Sequence, residues 1–250
     1  MITTFAQAQQ ITWPNGKKAV IVLTYDDAIN SQLDVAIPQL EAAHLHGTFF
    51  LTANITDKNI ARWRAASAKG NELANHTMYH PCLATAFKSR TENFSENYTV
   101  FQMLREIASM NNLLYATDGK VNKSYAYPCT ELKVGGVNYV DSLRKAGTIK
   151  YARIGGDNNA IVTNFKNLDP LLVPAWGVGA GSNGDQLVAF AEKAKQAGGM
   201  AVFMFHGVGG DYLITSAEAH QQLVNYLKQH PEIWVATFEQ AMDYIAQAKK

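Results

Sequence analysis

Five side chains that can move protons or grip a cation fall at recurring places in this sequence. Asp26 and Asp27 close the apolar run Val22-Leu23-Thr24-Tyr25. His76 and His80 come just after the run Glu72-Leu73-Ala74, and His206 directly follows Met200-Phe205. Two adjacent acids at the end of a hydrophobic strand are costly unless a positive charge offsets them. Histidines four apart share a face if their segment forms one helical turn, and can then hold one cation. A carboxylate from a neighbouring strand end would complete a two-histidine, one-carboxylate site that leaves positions for water and substrate. That donor set suits Zn²⁺, and less exclusively Co²⁺ or Ni²⁺. The acid pair then divides its work, one member on the cation and the other on the water that the cation acidifies. His206 supplies an opposing acid. Base, acid and Lewis acid together make a hydrolytic set for amides or esters.

Such residues meet only if their strands lie side by side. Short apolar runs predict strands at Ala19-Tyr25, Thr48-Leu51, Glu72-Ala74, Ser124-Ala126, Tyr151-Ile154, Leu171-Val173, Met200-Phe205 and Trp234-Ala236. Between them, helical spacing predicts helices at Gln32-Ala43 (with Ser31 as cap), Val100-Tyr115, Val137-Lys145, Asp185-Lys195, Ala217-Lys228 and Phe238-Ala248. Seven or eight strand–helix alternations describe an α/β chain, either a (β/α) barrel or a doubly wound parallel sheet. In both, chemistry gathers at the C-terminal ends of strands. The polar segment Thr85-Asn97 is too long for an ordinary strand–helix connection and reads as a loop on that face. No internal boundary divides the 250 residues, so one domain over 1–250 is expected, with its core at about 18–246.

Composition removes several classes. The net charge is +1 and no basic stretch exceeds a Lys-Lys pair, which argues against a nucleic-acid groove. No apolar run reaches the ~20 residues a membrane span needs. The small-residue stretch Phe5-Ala6-Gln7-Ala8-Gln9 is of the kind left around a signal cleavage site, so export is expected, with the cytoplasm as the alternative. Cys82 and Cys129 suffice for one bridge, though two unrelated thiols is the simpler first reading.

Thr24-Tyr25-Asp26-Asp27, Asn75-His76-Thr77-Met78-Tyr79-His80, Tyr127-Pro128 and Phe205-His206-Gly207 occur in the order seen in polysaccharide deacetylases. The sequence resembles that family, carbohydrate esterase family 4, from about Lys18 to Tyr244. The resemblance implies an irregular (β/α) barrel of about seven parallel strands. It implies a metal-dependent hydrolase that removes N- or O-linked acetyl groups from an oligo- or polysaccharide. Asp26 would be the general base, Asp27, His76 and His80 the metal ligands, and His206 the general acid. The backbone N–H of Cys129 would face the oxyanion. Cys82 and Cys129 would then lie on loops around one site, within reach of a disulfide.

Two family features are missing. The arginine that orients the base, two residues before the third motif's proline, is here Ala126. Arg153, at the end of the next strand, could reach the same place, although a surface position is the simpler expectation. The fourth motif's Asp-Trp pair is not evident; Asp157 and Trp176 are poorly spaced for it, and Trp176 is the expected sugar-facing wall. These gaps leave a carbohydrate-binding relative without activity as an alternative. Gly179-Ala180-Gly181-Ser182-Asn183-Gly184 fits a dinucleotide pattern but lacks the acid ~20 residues on, and reads as a flexible loop. Ser182 comes one glycine short of a nucleophile elbow, which keeps a serine-type esterase as a second alternative. His44, His46, His220 and His230 read as surface or capping residues. The glycine-rich run from His206 to Tyr212 could set Asp211 or Tyr212 over the substrate, or could be a plain loop.

Overall fold

The computed structural model describes residues 11–86 and 92–249. The stretch Phe5-Gln9 lies outside the described residues, as does the middle of Thr85-Asn97.

Ala19–Asp26 (β1) is buried along its whole length because it is covered on both faces. Ile21, Leu23 and Tyr25 pack into one core, and Val20 and Val22 into another. That two-sided burial explains the run's lack of polar alternation. Its neighbours are Thr48–Leu51 (β2), Glu72–Asn75 (β3) and Ser124–Ala126 (β4). Lys133–Val134 (β5) and Val137–Asn138 (β6) form a separate small hairpin. Then come Tyr151–Arg153 (β7), Ile161–Val162 (β8), Trp176–Gly177 (β9), Met200–Phe205 (β10) and Ile233–Ala236 (β11).

The main sheet runs β7-β4-β3-β2-β1-β10-β8, with β11 added to β1 and β9 to β10. Seven parallel strands curl into a half-barrel, joined by the two-residue β9; only β8 is antiparallel. β1 is the hub. Its first half pairs with β11 and its last three residues with β2, while β10 runs along the other edge. The expected strand at Leu171-Val173 is reduced to one bridge between Val173 and Arg153.

The helices are Ile37–Ala43 (α1), Ile60–Ala68 (α2), Val100–Asp118 (α3), Val140–Ala146 (α4), Gly184–Ala197 (α5), Ala217–Gln229 (α6) and Phe238–Ala248 (α7); α1, α2, α5 and α6 pack into the core of Ile21, Leu23 and Tyr25, and α7 into that of Val20 and Val22. α3, α5 and α7 start with full capping boxes from Thr99/Gln102, Asn183/Gln186 and Thr237/Gln240. Each such cap contributes about 0.5–2 kcal/mol. The glycine-rich segment before α5 is thus the ordered entry to a helix. α2 carries too weak a periodicity to predict, with Trp63 its only bulky buried residue.

The expected helix Gln32-Ala43 is split. Gln32–Ala36 is a π-helical turn, and Pro38, which has no N–H to donate, stands at the start of α1. Ser31 does not cap it; its hydroxyl accepts from the Val208 N–H.

His220 also departs from expectation, being fully buried rather than at the surface. Its Nδ1–H donates to Gln39 Oε1 and its Nε2 accepts from the Tyr25 hydroxyl, both at 2.6 Å. Burial pushes the ring's pKa down to about 3. The unfolded chain takes up a proton below roughly pH 6.5, where the folded ring does not. This contribution to stability is therefore complete above that pH and is lost as pH falls toward 3. Denaturant melts from pH 7 to 4 should show His220→Gln with a shallower pH dependence than wild type, by up to one proton. Parallel curves would contradict the buried neutral ring.

Candidate metal centre

Four loops at the C-terminal edge of the sheet carry the site. At the end of β1 the backbone turns sharply: Asp27 has φ +83° and Ala28 φ +56°. This left-handed turn costs on the order of 1–3 kcal/mol for a residue with a side chain. Its result is that both acids face one ring, with His76 Nε2 at 3.8 Å from Asp26 Oδ2 and 3.4 Å from Asp27 Oδ1.

His76 and His80 are not on a helical turn. Thr77 and His80 have φ of +63° and +51°, so the segment is a looped turn. It is held by the Thr77 N–H on Asn75 Oδ1, the His80 N–H on Thr77 Oγ1, and the Tyr79 N–H on Glu106 Oε1. The rings still converge, with centroids 4.6 Å apart. His80 Nε2 also stands 3.4 Å from Asp27 Oδ1.

Asp27, His76 and His80 each offer a donor atom within 4.8 Å of the others. Ligand bonds of about 2.1 Å at tetrahedral angles place donors roughly 3.4 Å apart, as found here for Asp27 Oδ1 and each histidine. Asp27 Oδ1 is buried and accepts no hydrogen bond among the described residues. His76 Nδ1–H donates to Ala126 O at 2.8 Å, which leaves Nε2 as the lone-pair nitrogen. The donors fit a small divalent cation. Burial pushes the Asp27 carboxyl up, but His76, His80, His206 and the Tyr212 hydroxyl outweigh it and hold it below the usual range.

Asp26 has a different partner. Arg153 Nη2 donates to its Oδ1 at 2.7 Å and its Oδ2 at 2.5 Å. Arg153 is 1% exposed, not a surface residue, and its guanidinium lies over Phe50 at 4.9 Å. It occupies the β7 position in register with Ala126 of β4. The two positions stand side by side in the sheet, which is why an arginine one strand over can reach Asp26.

A family model for polysaccharide deacetylases matches residues 14–147, a little over half the chain. The chain belongs to the polysaccharide deacetylase family. Members act on acetylated polysaccharides as metal-dependent deacetylases and esterases. A search of curated proteins gave no match. Among solved structures, a Mycobacterium smegmatis protein assigned to the polysaccharide deacetylases is similar at 14% identity and a TM-score of 0.68, covering 96% of this chain and 94% of that one. A Bacillus subtilis peptidoglycan deacetylase gives 20% and 0.57, with 92% of each chain covered. A Clostridium thermocellum acetyl xylan esterase, solved with a cobalt ion, gives 17% and 0.53 over 90% of each. At these identities the likeness is one of fold.

The remaining residues of this deacetylase-family site are less uniform. His206, at the end of β10, puts Nε2 3.8 Å from Asp27 Oδ2. Its buried Nδ1 has no partner among the described residues. Asp157 is exposed and accepts from the Asn159 N–H in its own loop. Cys129 sits in the turn Pro128–Thr130 with φ +49° and is joined to Cys82 by a disulfide. Trp176 is core, not wall: it pairs beside Phe203 in the sheet and packs edge-on against Phe190 at 5.1 Å. No hydrogen bond joins Ser182 to a histidine among the described residues, so the serine-type alternative gains no support.

Three contributors escaped the sequence reading or were left open by it. The Gln32 amide, fully buried, donates to the carbonyls of both Asp26 and His206. Asn54 Nδ2 holds the Asp27 carbonyl at 2.8 Å. The Tyr212 hydroxyl donates to Asp27 Oδ2 at 2.6 Å; burial and that carboxylate push its pKa well up, so it stays a donor. The Gly207 N–H bonds Tyr212 O, and a Cβ at Gly207 would lie 2.1 Å from Gly210 O, so glycine is needed to close the loop. Asp27, Asn54, Tyr79, His80 and Tyr212 line a cavity of about 550 Å³.

Proposed function

We propose that this protein removes acetyl groups, N- or O-linked, from an exported or cell-surface carbohydrate. The observation that carries the reading is the division between the two acids. Asp27 joins His76 and His80 in a set spaced for a divalent cation, of which Zn²⁺ fits best and Co²⁺ or Ni²⁺ also fit. Asp26 is withheld from that set by Arg153. When bound, the cation supplies Lewis acidity toward an acyl oxygen and lowers the pKa of water at the site.

The chain's own groups do the rest. Asp26 accepts the proton of the attacking water, held in place by Arg153. The Cys129 N–H faces the developing oxyanion. His206, across the site from Asp26, gives its Nε2 proton to the departing nitrogen or oxygen. Tyr79 and Tyr212, 56% and 48% exposed on the same cavity, take the sugar-facing role expected of Trp176. The Arg153–Asp26 pair supplies the contact that Ala126 lacks, so the missing third-motif arginine no longer favours an inactive carbohydrate-binding relative. The disulfide supports export, since such bridges persist in oxidising compartments.

Chelator-stripped protein should release no acetate from chitooligosaccharides, peptidoglycan fragments or acetylxylan. Zn²⁺ or Co²⁺ should restore release from at least one of them. Restoration from none would remove the activity and leave the fold. His80→Ala should weaken metal binding by 10-fold or more by titration calorimetry, in line with the loss of one of three ligands.

A further inference from the structure

His80 has two ring nitrogens, and they face different chemistry. Nε2 points toward Asp27, whereas Nδ1 lies 3.4 Å from Cys82 Sγ, a sulfur of the Cys82–Cys129 disulfide. The outer partner of a proposed metal ligand is therefore a redox-active sulfur. The donor atoms of His80, Cys82 and Cys129 also lie within 4.8 Å of one another, the two sulfurs being bonded to each other.

We propose that reduction of the Cys82–Cys129 bridge creates a second metal site, formed by the two sulfurs and His80, for a soft-accepting divalent cation such as Zn²⁺. With a trialkylphosphine as reductant, the S–S bond takes two electrons. The phosphine becomes its oxide by taking the oxygen of one water, whose two protons go to the sulfurs. Both protons leave to solvent as the thiolates bind metal. Two thiolates and an imidazole are the donors that Zn²⁺ prefers over carboxylate sites.

The two sites compete. A neutral imidazole has one lone-pair nitrogen. Binding through Nδ1 moves the ring proton to Nε2 and removes a donor from the Asp27–His76–His80 set. Reduction thus relocates the metal and leaves its count unchanged. Its consequence for activity rests on the deacetylase reading; the metal site itself does not.

The test loads oxidised protein with one equivalent of Co²⁺ and records absorption before and after the phosphine. The oxidised protein should lack a thiolate-to-cobalt charge-transfer band in the near ultraviolet. Reduction should bring that band up with one cobalt still bound, and acetate release should fall at least 10-fold. The Cys82→Ser/Cys129→Ser variant should show no band with or without phosphine, and His80→Ala should weaken cobalt binding to the reduced protein at least 10-fold. Cobalt bound to reduced protein without the band overturns the proposal, as does binding of two equivalents. A band that appears only together with loss of the folded near-ultraviolet circular dichroism also overturns it, because any unfolded dithiol would give one. A protein that releases no acetate even when oxidised refutes the deacetylase reading and leaves this spectral test intact.

Discussion

Asp26→Asn is expected to lower kcat by roughly 10²–10⁴-fold while a divalent cation stays bound with near wild-type affinity. The amide matches the carboxylate in shape but cannot accept a proton from water. The proposed donors, Asp27, His76 and His80, are left in place. One complication is calculable. The substitution leaves the Arg153 guanidinium buried beside a neutral group, and breaking a buried pair in this way costs about 3–5 kcal/mol. Activity must therefore be normalised to the folded fraction, measured by denaturant melts under the assay conditions. Loss of turnover with metal retained supports Asp26 as the base. Residual activity within a few-fold of wild type would sink that assignment.

Arg153→Ala should reduce turnover by about 10²-fold if Asp26 is the base, because that carboxylate loses the group that holds it. It should also destabilise the fold, since Asp26 is then a buried carboxylate without its counter-charge. The reciprocal exchange, Arg153→Ala with Ala126→Arg, is the sharper experiment. Positions 126 and 153 are register neighbours on β4 and β7, both fully buried, so the exchange moves one guanidinium sideways at nearly constant volume. It should regain at least 10-fold in kcat over the single variant, together with most of the lost stability. A double variant no better than Arg153→Ala would show that the contact depends on the β7 backbone and not on charge alone.

The arginine illustrates where sequence reasoning stops. The strands at Thr48-Leu51, Ser124-Ala126 and Met200-Phe205 emerge with their exact bounds because buried parallel strands are nearly pure apolar runs. The acids and histidines at strand ends follow from the same pattern. Sideways relations between strands do not, because register is set by packing across the sheet. Arg153 is a candidate from the sequence because its strand is the next one along, but only the register puts it beside Ala126 and buries it. Trp176 failed for a related reason: β9 is two residues long and owes its existence to the edge of β10. His220 reads as a surface residue from its helix position, yet Tyr25 and Gln39 supply two buried partners no periodicity announces. Tyr212 lies in a glycine-rich run that reads as a loop over the site, but only the folded loop shows its hydroxyl on Asp27.

Gln32 has a consequence for how such a site can change over time. Its single amide ties the carbonyls of Asp26 and His206, residues that end two adjacent strands paired through Tyr25 and Phe205. The spacing of Asp26 and His206 is thus held by one buried side chain across the ends of β1 and β10. Exposed side chains around the cavity, such as Tyr79, can change while that tie stays, so what the cavity admits is free to vary apart from the spacing of the two residues.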